Sequence, residues 1–169
     1  TRLLNEIAAR TAASLDLEEV VEAAADELGQ LMTFEDYSLL LFEDRTISRV
    51  ISSRSESEAL LGLTVEDVGS AFIDRVASER VSVVRLPDEL DSLVGNGAIA
   101  GLAGAVVIAL PSDAGLLGAL NLVSHQPGTF EGVDRHFLER IGTQLSLAIK
   151  NAQLYDEIKQ MHLGNLKAL

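Results

Sequence analysis

No cysteine occurs in the 169 residues, which removes thiol nucleophiles, cysteine-ligated zinc and iron–sulfur sites and disulfides together, and leaves the redox compartment open. Tryptophan is also absent and aromatic residues make up only 4%, so there is little material for a platform on which bases stack. Basic residues are scarce: 13 Lys and Arg against 26 Asp and Glu give a formal net charge of -13. A phosphate backbone needs clustered cations to displace its counterions, and no Lys/Arg-rich run supplies them. Nucleic acid is excluded as a partner.

Long apolar runs are nearly missing too. Leu93 to Leu110 (LVGNGAIAGLAGAVVIAL) has Asn96 as its one polar side chain, but it is only just long enough to cross a bilayer. Its glycines crowd the first half, no aromatic or basic anchors flank it, and the second half reads as a buried strand. No membrane insertion is expected, and no charged-then-apolar stretch opens the sequence.

What is present is ordinary globular material. A hydrophobic fraction of 47%, a charged fraction of 23% and a mass of 18.1 kDa fit one domain with a real core. From Arg2 to Leu15 the apolar residues Leu3, Leu4, Ile7, Ala8, Ala12 and Leu15 have helical spacing. Asp16 with Glu19 forms a capping-box signal for a second helix running to Leu31. The period then shortens: Tyr37 to Phe42 and Thr46 to Ser52 read as strands joined by a hairpin. Val68 to Ser78 returns to helical spacing, Val81 to Leu86 is a short strand, and Pro87 to Gly104 is loop-like. Ala105 to Leu110 and Leu116 to Ser124 are strands flanking the hairpin-turn residues Pro111 to Gly115. From Gly132 onward the reading is helix. The fold class is therefore α+β, an antiparallel sheet backed by helices on one face.

The last helix is too long for such a domain. Within it Leu138, Ile141, Leu145, Ala148, Ala152 and Tyr155 are spaced alternately by three and four, a heptad seam that continues through Ile158, Met161 or His162, Leu166 and Leu169. At 1.5 Å per residue the helix is about 55 Å long, against about 40 Å for a globule of this size. The expected partner for the overhang is a second copy, in a parallel two-helix seam. Residues 1–160 are then the domain, and 161–169 the start of a helical connector to a downstream effector.

Few residues point to chemistry. His125, His136 and His162 are too dispersed to converge on a metal, and Gly95, Gly97 and Gly101 miss the dinucleotide fingerprint by one position. No nucleophile–base pair, paired carboxylates or phosphate loop stands out. Neither a catalytic residue nor a resident cofactor or metal is expected.

The order of three stretches, "LLNEIAARTAASLDLEEVVEAAADEL", "VGSAFIDRVASERVSVV" and "GALNLVSHQPGTFEGVDRHFLERIGTQLSLAIKNAQLY", resembles that of a GAF domain, a small sensory module related in architecture to PAS domains. The resemblance covers nearly the whole chain. It implies a central antiparallel sheet, helices from both chain ends on one face, and on the other a small-molecule pocket covered by the helix around Phe72 and the loop from Pro87 to Leu102. It also implies homodimerisation through the terminal helices and cytoplasmic, bacterial signalling. Candidate ligand contacts are Phe72, Arg75 as the cation for an anionic ligand, and Asp88, Glu89, Asp91 and Asn96 in the loop. GAF domains that bind cyclic nucleotides often carry Asn-Lys, then Phe, then Asp-Glu. Here Asn121, Phe130 and Asp134 match, but Leu122 replaces the Lys and Arg135 the Glu, so the Lys–Asp pairing is lacking. Phe130 reads as a core plug and Asp134 as a helix-start residue. Bilin attachment and the GAF-type methionine sulfoxide reductases require a cysteine.

The closing "YDEIKQMHLGNLKAL" resembles a connector to an HD-type metal-dependent phosphohydrolase, a group that includes cyclic di-guanylate phosphodiesterases. Connectors to diguanylate cyclases and histidine kinases are similar. The competing expectation is a ligand-free dimerisation spacer, its pocket filled by residues such as Leu102, Ala103, Val106 and Ile108.

Overall fold

The computed structural model describes residues 16–53, 70–85, 103–113 and 115–168, with the backbone alone at 70–72, 84, 85 and 162–168. The helix expected at residues 2–15 lies outside them. Asp16 opens helix α1 (Leu17–Leu28) from an extended conformation, its carboxylate accepting the Glu18 N–H at 2.9 Å. The helix ends at Leu28 rather than Leu31, because Gly29 and the two residues after it turn back on the last carbonyls.

Strands β1 (Asp36–Glu43) and β2 (Thr46–Ser52) follow. Their two-residue turn holds Asp44 and Arg45 at φ 51° and 63°, the twist-matched geometry of a tight hairpin. Helix α2 (Ser70–Glu79) leads into β3 (Val81–Arg85), and β4 (Gly104–Ser112) and β5 (Gly115–Ser124) form a second hairpin. Helix α3 (Arg135–Ala168) closes the chain. The five strands are antiparallel throughout, in the order β2-β1-β5-β4-β3. Among the described residues the element order matches the expectation, with bounds shifted by at most three residues and those of β2 unchanged.

Helices α1 and α3 pack on one face of this sheet. Val20, Val21 and Leu28 from α1 and Leu138, Ile141 and Leu145 from α3 share a buried cluster with Leu39, Val106, Ile108, Leu120 and Leu122. Helix α2 lies on the other face, where Val76 packs on Ala105, Val107, Ala109 and Ala119. Strand β4 is thus covered on both sides, which explains its unbroken apolar run.

Strand parity corrects one expectation. Val106 and Ile108, expected to fill the pocket, point instead to the helix side, and Ala105, Val107 and Ala109 face α2. In a run that is apolar at every position, alternation carries no signal about which residues face which way. The expected seam on α3 is also otherwise engaged. Leu138, Ile141, Leu145 and Ala152 are buried and Ala148 packs on the same cluster, so the chain's own sheet occupies that face; of the six, Tyr155 is exposed.

Two glycines allow close backbone approaches, one between strands and one between layers. A Cβ at Gly118 would collide with the Leu40 carbonyl oxygen of the neighbouring strand, and one at Gly142 would come within 2.5 Å of the Ala109 carbonyl oxygen and 2.9 Å of Ile108 Cγ2. Gly142 therefore lets α3 lie directly against β4. Alanine at an unobstructed helix position gains about 1 kcal/mol over glycine. At position 142 overpacking, typically about 1–3 kcal/mol, outweighs that gain. Gly142→Ala should lower the stability measured by urea denaturation.

Tyr37, half-buried on the helix face, is held above its ordinary pKa of 10.0 by burial first, then by the carboxylates of Glu22 and Asp26. The unfolded phenol ionises at its ordinary value and the folded one only at higher pH. This group thus leaves stability unchanged below about pH 10 and removes it as pH rises through the folded value. In a Tyr155→Phe background, tyrosinate absorbance should titrate above 10, and Tyr37→Phe should flatten the alkaline loss of stability.

Candidate functional site

The sheet face under α2 is floored by small side chains. Ala105, Val107 and Ala109 from β4 lie beside Ala119 from β5, with Leu116 and Val123 at the margin. On β1 and β2, Leu40 and Ile47 continue the apolar surface, joined by Phe42, Val50 and Ile73 of α2. The β1–β2 register shift after Leu41 leaves Ser48 as an extra residue, whose hydroxyl donates to the Leu41 carbonyl at 3.2 Å. That bulge brings Ile47 opposite Phe42 on this face.

A polar pair interrupts the floor. Asn121 Nδ2 donates to Ser38 Oγ at 3.1 Å between paired positions of β5 and β1. Ser52, paired with Ser38, and Ser82, paired with Val107, also lie on this face, but their hydroxyls donate to the Tyr37 carbonyl and the Glu79 carboxylate. The Asn121 amide oxygen and the Ser38 hydroxyl proton instead offer one acceptor and one donor.

Of the expected ligand residues, Phe72 belongs to α2, and Asp88, Glu89, Asp91 and Asn96 lie outside the described residues. Arg75 is already engaged. Its Nε stands 3.3 Å from Glu79 Oε2, its Nη2 donates to the Val83 carbonyl at 3.5 Å, and Glu79 Oε2 also accepts from Ser82 Oγ at 3.0 Å. Its charge is balanced by its own helix, which weakens the case for it as an anion receptor.

The motif residues separate onto different parts of the fold. Asn121 lies on the α2 side, whereas Phe130 is buried in the helix-side cluster. Asp134 precedes α3 and caps it, its Oδ1 accepting the Phe137 N–H at 3.0 Å. Both replaced positions have structural roles: Leu122 is fully buried in the helix-side core, and Arg135 Nη1 donates to the Val81 carbonyl at 2.9 Å, tying α3 to β3. Asp134→Ala should cost about 1 kcal/mol by urea denaturation and Asp134→Asn much less, since asparagine also caps. Equal damage from both would mean that the charge itself has a partner.

One concavity of the described residues was not legible in the sequence. An open groove of about 900 Å³ runs between the end of α1 and the start of α3, lined by Leu31, Met32, Gln126, Thr129, Asp134 and Phe137 among others. It forms because α1 stops at Leu28, leaving Leu31 more than half exposed. Among the described residues no group of three His, Asp or Glu side chains is placed to hold a metal ion, and no helix is long and apolar enough to cross a membrane.

The GAF domain family model matches residues 14–150. This chain belongs to the GAF domain family. Its fold is shared with the chromophore-binding domain of an unusual bacteriophytochrome from R. palustris (TM-score 0.65, 16% identity, 92% of this chain and 61% of that one). It is shared also with the GAF domain of a two-component sensor histidine kinase from Bacillus halodurans (TM-score 0.60, 23% identity, 85% and 99%). A third similar structure is a free methionine-R-sulfoxide reductase from Neisseria meningitidis in complex with its substrate (TM-score 0.67, 16% identity, 90% and 89%). The chain spans 61% of the first bacteriophytochrome structure and 38% of a longer one from the same bacterium. At these identities the likeness is one of fold. A search of curated sequences returns no match.

Proposed function

We propose that this GAF domain is the regulatory sensor of a larger signalling protein. A small molecule binds the sheet face under α2, and two copies joined through their terminal helices pass the change to an effector further along the chain. The observation that carries this reading is the double role of α3. Its first half is buried on the sheet through Leu138, Ile141, Leu145 and Ile149, while from Leu154 to Met161 it continues as exposed helix. One rod thus joins the sheet to whatever lies beyond it. A ligand moves such a rod only by binding one of its poses more tightly than the other.

The floor suits a neutral, largely apolar molecule with one hydrogen-bonding edge for Asn121 and Ser38. The effector in this reading is an HD-type phosphohydrolase, with cyclic di-guanylate as a candidate substrate; a histidine kinase, in keeping with the Bacillus halodurans relative, or a diguanylate cyclase is the alternative. The location is the cytoplasm, and the domain itself is regulatory rather than catalytic.

A specific observation favours a second reading, the ligand-free spacer: Ala105, Val107, Ala109 and Ala119 are buried with Val76 already upon them. Native mass spectrometry separates the two. A dimer with a retained molecule, lost on Ala119→Phe substitution while the dimer persists, is the expected result. A dimer that carries no added mass and shows no thermal shift with any metabolite supports the spacer, and a monomer at high micromolar concentration overturns both.

A further inference from the structure

Among the described residues, Leu31 is the one exposed large hydrophobic side chain outside α3, and it stands on the wall of the groove between the end of α1 and the start of α3. Met32, Val133 and Phe137, each packed in part against the helix-side core, continue the apolar surface beside it. The rim is polar and its charge is of one sign. Glu131 and Asp134 are exposed there, and among the described residues no Lys, Arg or His lines the groove. Arg135, the nearest cation in sequence, is turned to the Val81 carbonyl.

Both walls are built before anything binds. On the α1 side, Gly29 donates its N–H to the Ala25 carbonyl at 2.9 Å, and Leu31 and Met32 donate theirs to the Leu28 carbonyl at 3.0 and 3.1 Å. On the other side, Thr129 Oγ1 donates to the Gln126 carbonyl at 2.7 Å, while Ser124 Oγ lies 3.0 Å from Thr129 Oγ1 and accepts the Gln126 N–H at 3.1 Å. Walls already bonded in this way have little freedom left to lose on binding.

We propose that this groove docks a short segment of a partner protein in which Lys or Arg is set among large apolar residues. The apolar side chains seat on Leu31, Met32, Val133 and Phe137, and the cation reaches Asp134 and Glu131. Asp134 uses Oδ1 for the Phe137 N–H at 3.0 Å and keeps Oδ2 for a donor. The groove is open to solvent, whereas a small-molecule site encloses most of its ligand; a length of chain laid across it suits the shape better. The net charge of -13 attracts a cationic segment at long range and repels an acidic one. The groove lies on the helix side of the sheet, opposite the floor under α2, so this proposal stands apart from the ligand reading above.

The test titrates acetylated, amidated hexapeptide probes into the isotope-labelled 169-residue chain and follows its backbone amides by NMR. The probe LKLLKL should move the amides of Leu31, Met32, Thr129 and Phe137, and added salt should weaken its binding. LELLEL should bind at least about tenfold more weakly, because like charges would face Glu131 and Asp134. Leu31→Ala should weaken LKLLKL about tenfold with no change in the urea midpoint. Glu131→Gln and Asp134→Asn should each weaken it about two- to fivefold, the worth of an exposed ion pair, and leave the uncharged probe LQLLQL unaffected. Asparagine keeps the cap, and Glu131→Gln carries the charge test should position 134 lose stability. Equal binding of LKLLKL and LELLEL, shifts confined to the α2 side of the sheet, or no shifts with either probe would overturn the proposal. So would groove amides that move with no probe present: movement on dilution gives the groove to a second copy, and movement on Arg2→Glu gives it to the chain's own first residues.

Discussion

The contact between α3 and β4 is the constraint on which the rest of the structure depends. Gly142 allows the helix axis to approach until the Ala109 carbonyl and the Ile108 methyl lie where a side chain would begin. That close approach buries Leu138, Ile141, Leu145 and Ile149 on the sheet and aligns the whole 34-residue helix. Arg135, bonded to the Val81 carbonyl, and Asp134, capping the first turn, anchor its start. A helix packed so closely over its first half is tied to the sheet as one body, since close-packed interiors resist deformation.

The two faces of the sheet differ in kind. The helix side is filled by large aliphatic side chains from α1, α3 and the sheet, whereas the α2 side is floored mainly by alanine and valine, with the Asn121–Ser38 pair among them. Large-to-large packing confers stability; among the described residues the floor of small side chains is covered by α2. The loss of the Lys–Asp pairing at positions 122 and 134 follows the same division. Leu122 joins the large-residue core and Arg135 serves β3, so the two positions at which this chain departs from a cyclic-nucleotide signature are used here to hold the helix layer together.

Much of the fold was legible in advance because local signals agreed with one another. Asp16 caps α1, the turn at Asp44 and Arg45 closes a hairpin, and the β-rich runs became strands within a residue or two of their expected bounds. The candidate site was less legible. Asn121 was singled out as a motif residue, but its bond to Ser38, 83 positions away in sequence, depends on the pairing of β1 with β5. Arg75 carries a positive charge in any sequence reading; that Glu79 balances it follows from one turn of helix, and that Val83 accepts from it follows from the α2–β3 corner.

The sequence by itself determined the element order, the antiparallel α+β class, the lack of any cysteine for thiol chemistry, and the presence of a long closing helix, because composition and periodicity act locally. Only the tertiary structure decided which residues of a uniformly apolar strand face which helix, and which of two apolar stripes on α3 belongs to the core. Both stripes have helical spacing, so periodicity alone cannot rank them. The sheet takes the one beside Gly142, where the backbones can meet, and leaves Leu147, Leu154, Ile158 and Met161 facing outward.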